Sequence, residues 1–137
     1  MNQYNMPVID PKGEGRYFSD IASAAQPWLL YKRGSDENHV ALAGVGDKPL
    51  GVSPDRPKNI GDQLTVWYLG DHEGTLFGVA SGAIAAGNYL VPGANGTVMA
   101  LPAGAGTYYV IGEANAAASD GQSVPIIHRF PYPPTVQ

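Results

Sequence analysis

Gln63-Leu64-Thr65-Val66-Trp67-Tyr68-Leu69 decides the fold class. Seven residues rich in β-branched and aromatic side chains, with neither Gly nor Pro, read as a strand. One face of that strand carries Leu64, Val66 and Tyr68, and the other carries Thr65, Trp67 and Leu69. A strand with one wet face would alternate polar and apolar residues, so both faces here are covered. Either the strand lies between two packed layers, or its second face is buried against another subunit, where large aromatics are enriched. Tyr108-Tyr109-Val110-Ile111 repeats the pattern.

Short apolar runs separated by turn residues extend outward from this segment in both directions, the signature of a sandwich or barrel. Strands are expected near 28–32, 39–43, 50–52, 63–69, 75–79, 89–91, 97–101, 108–113 and 124–129. Asn95-Gly96 predicts a hairpin whose two central residues take φ > 0, and Asp120-Gly121 predicts a second turn of that kind. The 137 residues include 18 Gly and 12 Pro, and the longest stretch lacking both, Arg16 to Gln26, is eleven residues. A helical bundle is excluded, and no segment approaches the roughly 20 apolar residues of a membrane-spanning helix. The fold class is all-β: a compact β-barrel or β-sandwich of short strands with extended N- and C-terminal arms.

An internal echo accompanies the strands. Gly51 and Gly61, Gly78 and Gly87, and Gly112 and Gly121 are separated by ten, nine and nine positions. Each second Gly precedes an apolar residue by three, as where a turn releases the chain into a buried strand.

Residues 1–20 read as an N-terminal arm, 21–129 as the β domain and 130–137 as a Pro-rich tail. In the arm Tyr4, Met6 and Val8 alternate like one face of an extended strand, and Arg16, Tyr17 and Phe18 add further contact residues. In the tail, Phe130-Pro131-Tyr132-Pro133-Pro134 cannot pair in a central strand, and Phe130 and Tyr132 are its contact candidates. Leu, Ile, Val and Phe are few for a chain this long, which points to burial completed by self-association. Trp67, Leu69 and Tyr108 are the candidate subunit-interface residues.

The net charge is −4, with basic residues scattered singly, so no stripe exists to neutralise nucleic-acid phosphates. There is no Cys, which removes disulfides, thiolate metal sites and Cys nucleophiles. Met1-Asn2-Gln3-Tyr4 lacks the features of a secretory signal, so cytoplasmic synthesis is expected.

Chemical motifs are sparse. No Gly-x-Ser-x-Gly elbow, Walker sequence or complete dinucleotide fingerprint occurs. His39, His72 and His128 are isolated and read as surface or strand-end residues, and Asp71-His72-Glu73 reads as a solvated hairpin tip. No catalytic residue, cofactor site or metal site is expected.

From about Ala41 to Val124 the chain resembles the bacteriophage capsid cement or decoration proteins of the DUF2190-like group. The blocks that carry the resemblance are Val40-Ala41-Leu42-Ala43-Gly44, Pro49-Leu50-Gly51-Val52, Ser81-Gly82-Ala83-Ile84-Ala85-Ala86-Gly87-Asn88-Tyr89-Leu90, Asn95-Gly96-Thr97-Val98, and Ile111-Gly112-Glu113-Ala114 followed by Asp120-Gly121. The resemblance implies a non-enzymatic virion protein, trimeric on the outer face of a phage head at threefold positions. Its partners would be the major capsid protein and itself, with no direct contact to nucleic acid or membrane. It would bridge capsomers against internal DNA pressure. Two other readings compete. One is a carbohydrate-binding β-module using Trp28, Trp67, Tyr89 and Tyr132 as a platform. The other is a small hydrolase with converging carboxylates in a deep pocket.

Overall fold

The structure is a computed structural model that describes residues 12–131 and the backbone of 135–136. Its strands are β1 (Glu14–Ser19), β2 (Leu29–Arg33), β3 (His39–Leu42), β4 (Gly51–Ser53), β5 (Gln63–Tyr68), β6 (Leu76–Val79), β7 (Tyr89–Pro92), β8 (Val98–Ala100), β9 (Thr107–Tyr108), β10 (Gly112–Ala114), β11 (Ser123–His128) and β12 (Thr135–Val136). The first five close into a barrel in the order β1-β3-β2-β4-β5. A second sheet runs β6-β11-β10-β7-β8, and β12 pairs with β9 as a separate ribbon. The fold is all-β, as the sequence predicts.

The two five-stranded units are copies of one another. Phe18 lies opposite Gln63 in the first unit, and Val79 opposite Ser123 in the second. Leu30, Val52 and Trp67 form one cross-strand row, with Tyr89, Glu113 and Ile127 as its counterpart. Arg33 faces Val40 as Pro92 faces Val98. The parallel contact that closes the barrel, Ser19 to Val40, survives in the second unit as a single bridge from Ala80 to Val98. Hydrogen bonds outside the strands repeat in step. Ser19 N–H donates to Asp62 O (2.9 Å) and Ala80 N–H to Gln122 O (2.8 Å); Gly61 N–H donates to Ser19 O and Gly121 N–H to Ala80 O, both 2.8 Å. Strands β1 to β5 therefore correspond to β6, β7, β8, β10 and β11.

This duplication explains the glycine echo. Gly61, Gly87 and Gly121 have φ of 91°, 87° and 81°, and a Cβ at any of them would meet no atom of the described residues within 4 Å, so each glycine serves the backbone angle and not space. Leu64, Leu90 and Val124, three residues on, are fully buried. Each unit uses the device twice, yet the sequence shows it three times because the fourth site carries no glycine. There Trp28 N–H donates to Ser53 O as Gly87 N–H donates to Ala114 O, all at 2.8 Å, and Trp28 itself adopts φ 69°.

Two cores result. Tyr17, Leu29, Tyr31, Val40, Leu64, Val66 and Tyr68 fill the barrel. Leu30, Val52 and Leu69, facing outward from the barrel, join Leu76, Leu90, Val98, Ile111, Val124 and Ile126 in a second core between the units. The doubly apolar 63–69 segment is thus covered by its own chain on both faces.

Three expectations need correction. The arm drawn through residue 20 does not match, because Glu14–Ser19 is a barrel strand paired with β5 and β3. Gly15 resembles loop punctuation but is required inside, where a Cβ would overlap the Tyr68 hydroxyl. The expected 108–113 strand is broken into β9 and β10, with Gly112 at φ 151° pressed against the Ile127 carbonyl. Asp120-Gly121 makes a turn from Ser119 to Gln122 in which only Gly121 has positive φ. The Asn95-Gly96 hairpin does join β7 to β8, with φ of 54° and 79°.

Candidate functional site

Trp28 leads the chain into β2 from the left-handed region, a backbone outlier for a bulky residue that costs on the order of 1–2 kcal/mol. Its ring meets Trp67 of β5 edge-to-face at 5.2 Å and Phe77 of β6 at 5.3 Å, so the three half-buried aromatics tie the barrel to the second unit. Contacts of this kind are worth about 0.5–1.5 kcal/mol each beyond burial, enough to offset the backbone cost.

Trp67 also stacks on His72, rings 4.1 Å apart and nearly parallel. Gly74 N–H donates to His72 Nδ1 at 3.0 Å, leaving Nε2 to meet Glu14 at 3.0 Å. With its side chain only 7% exposed, His72 is a packed joint between β1 and the linker to β6, not a solvated hairpin tip. His128, at the end of β11, accepts the Gly70 N–H on Nδ1 (2.8 Å), and Nε2 faces the Gly74 carbonyl (3.3 Å). Burial pushes the His128 pKa down, outweighing the hydrogen bond to the Gly74 carbonyl, which raises it.

Beside this joint lies a cleft of about 630 Å³ whose walls include Lys32, Lys48, Leu50, Leu69 and Phe130. Phe130 is 67% exposed, with the Lys48 ammonium 5.8 Å from its ring centre. Asp47, on the same wall, accepts the Gly44 N–H (2.8 Å) and pairs with Lys32 (3.0 Å); the Gly44 donor first, then Lys32, hold its carboxyl below the ordinary range. Asp47 is committed to structure. Among the described residues, no group of three His, Cys, Asp or Glu is placed to hold a metal ion.

The sequence candidates scatter. Tyr4, Met6, Val8 and Tyr132 lie outside the residues whose side chains are described. Arg16 and Phe18 point outward from β1, but Tyr17 between them is 2% exposed inside the barrel and offers no contact surface. Leu69 is likewise core, not interface; Trp67 is half-buried in the joint, and Tyr108 sits half-buried in the β9 ribbon. The proposed sugar platform does not assemble: Trp28 and Trp67 meet edge-to-face, whereas Tyr89 lies on β7 with the Arg129 guanidinium 5.6 Å from its ring. Sequence reasoning missed the role of Glu14 and the strain at Trp28. Only the periodic glycine turns point to the latter, by marking the place where one is missing.

No protein-family model matches the chain, and no curated protein does. Among solved structures, the N base of head fiber gp8.5 of bacteriophage phi29 is similar, with TM-score 0.62 and 23% identity over 93% of this chain and 98% of that one. The likeness shows a shared fold. The resemblance to the cement group continues to rest on the sequence blocks.

Proposed function

We propose that the chain is a structural protein of a phage virion, held on the outer surface of the head as a trimer that reinforces the shell. The observation that carries this reading is the fold shared with a head fiber base over nearly the whole of both chains. The sequence blocks that resemble those of capsid cement proteins point the same way. A protein that binds only the mature shell stabilises it by mass action and needs no catalytic group. A ring with several copies of each capsid contact gains avidity from individually modest contacts. The segment with Tyr4, Met6 and Val8, together with Phe130 and Tyr132, supplies the apolar side chains for that contact.

The test is to incubate the purified chain with heads of the encoding phage that lack it, then sediment and image them. Co-sedimentation with added density at threefold positions is expected. A chain that stays in the supernatant at every concentration overturns the reading.

A further inference from the structure

The duplicated architecture uses one face twice and covers it once. In the barrel, the cross-strand row Leu30–Val52–Trp67 faces the second unit, with Leu30 and Val52 fully buried. Its counterpart, Tyr89–Glu113–Ile127, looks outward, and Tyr89 and Ile127 remain 54% and 57% exposed. The complementary half of the inner contact is strand β6, which turns Phe77 toward Trp28 and Val79 into the barrel's core cluster. Register places Arg16 and Phe18 of β1 at the positions equivalent to Phe77 and Val79. Both are exposed, Phe18 by 40%. The chain therefore ends on one side in a copy of the covered surface, and on the other in a copy of the strand that covers it.

We propose that these two surfaces meet between copies of the chain: the Tyr89–Glu113–Ile127 row of one subunit packs on β1 of the next, repeating the contact that joins the units within each chain. The charges agree with this. Val52 on β4 has Glu113 as counterpart, and Phe77 on β6 has Arg16. Where β4 packs near β6 inside the chain, the two apolar positions become an acid and a base between chains. Burial of apolar side chains drives such a contact, and the ion pair fixes its register and direction. A head-to-tail contact of this kind must either close into a ring or extend as a filament. The inference rests on the proposed trimer for its closure: three chains would then present six units in a ring.

The experiment is light scattering on the full-length chain after size exclusion. A particle of three times the 14.4 kDa chain mass is expected. Ile127→Asp removes one surface and Phe18→Asp the other, and each is expected to yield a monomer with unchanged circular dichroism. Mixing the two variants pairs the intact row of one with the intact strand of the other, so a dimer forms and nothing larger. Arg16→Glu weakens assembly at least about tenfold, and Arg16→Glu combined with Glu113→Arg restores it. A wild-type monomer, or a trimer indifferent to Ile127→Asp and Phe18→Asp, overturns the inference. Head binding separates the two readings. A chain that assembles in this way but ignores heads sinks the virion role alone. A wild-type monomer that still binds heads sinks the head-to-tail contact and the trimer and leaves the virion role standing.

Discussion

The N–H of Gly70, just beyond the barrel, donates to Nδ1 of His128, the last residue of β11, at 2.8 Å. This bond crosses between the two units and needs an unprotonated Nδ1. Burial holds the folded-state pKa of His128 below the ordinary 6.5, against the opposing backbone hydrogen bond at Gly74. The unfolded chain therefore takes up the proton first. The contribution of His128 is complete above pH 6.5 and is lost as pH falls through 6.5 toward the folded value.

A lower melting temperature is therefore expected on moving from neutral pH to about pH 5, with a shallower fall in His128→Gln. The exposed His39–Asp36 pair works the other way, because its hydrogen bond raises the His39 pKa, so its contribution is present below 6.5 and lost as pH rises through the folded value. Comparing wild type with His128→Gln cancels that pair. Identical slopes would remove His128 from the account.

At Trp28 the usual ranking of small residues should invert. Trp28→Ala loses the contacts with Trp67 and Phe77 and keeps the φ 69° backbone, whereas Trp28→Gly loses the same contacts and relaxes it. Urea denaturation should find Trp28→Gly more stable than Trp28→Ala by about 1 kcal/mol. Equal stabilities would mean that the backbone there is not strained.

Trp67→Ala should cost about 3 kcal/mol, at the lower end for an aromatic truncation because the ring is half-buried. It strips both the His72 stack and the Trp28 edge contact. Denaturation of the Ile127→Asp monomer background isolates this loss from any effect on assembly. A loss under about 0.5 kcal/mol would show that the joint contributes nothing beyond an ordinary surface site.

The three tyrosines inside the barrel should respond oppositely to loss of their hydroxyls. Tyr17 and Tyr68 bond each other through their OH groups at 2.5 Å, so Tyr17→Phe leaves a buried hydroxyl without its partner and costs about 1–2 kcal/mol. Among the described residues Tyr31 OH is buried with no hydrogen-bond partner, and burial lifts its pKa to about 12. Tyr31→Phe should be neutral or stabilising by up to about 1 kcal/mol. Chemical denaturation of both variants checks the contrast, which a destabilised Tyr31→Phe would contradict.

What was legible in the sequence is what short-range rules write. A run of β-branched and aromatic residues without Gly or Pro located β5, and the need for positive φ at Asn95 and Gly96 located the β7–β8 turn. The glycine echo was a true signal of repetition, since Gly51 and Gly112, like Gly61 and Gly121, occupy equivalent places. Its full period stayed hidden because Trp28 replaces a glycine. Strand β1 was illegible for a related reason. Of its inward positions, Gly15 and Ser19 are small, made so by Tyr68 and by close backbone packing, and only Tyr17 announces a core. The joint of Trp28, Trp67, Phe77 and His72 gathers residues from distant strands, which spacing along the chain does not encode.

The unequal sharing of the two cores sets an order of events. The barrel fills itself almost entirely with residues up to Tyr68, whereas the second core borrows Leu30, Ala43, Val52 and Leu69 from the barrel's outer wall. As the chain leaves the ribosome, the first unit can close before the second exists, and the later unit then condenses on a finished surface. Until that happens Leu30, Val52 and Leu69 face water, and the half-made protein is at its most vulnerable to aggregation.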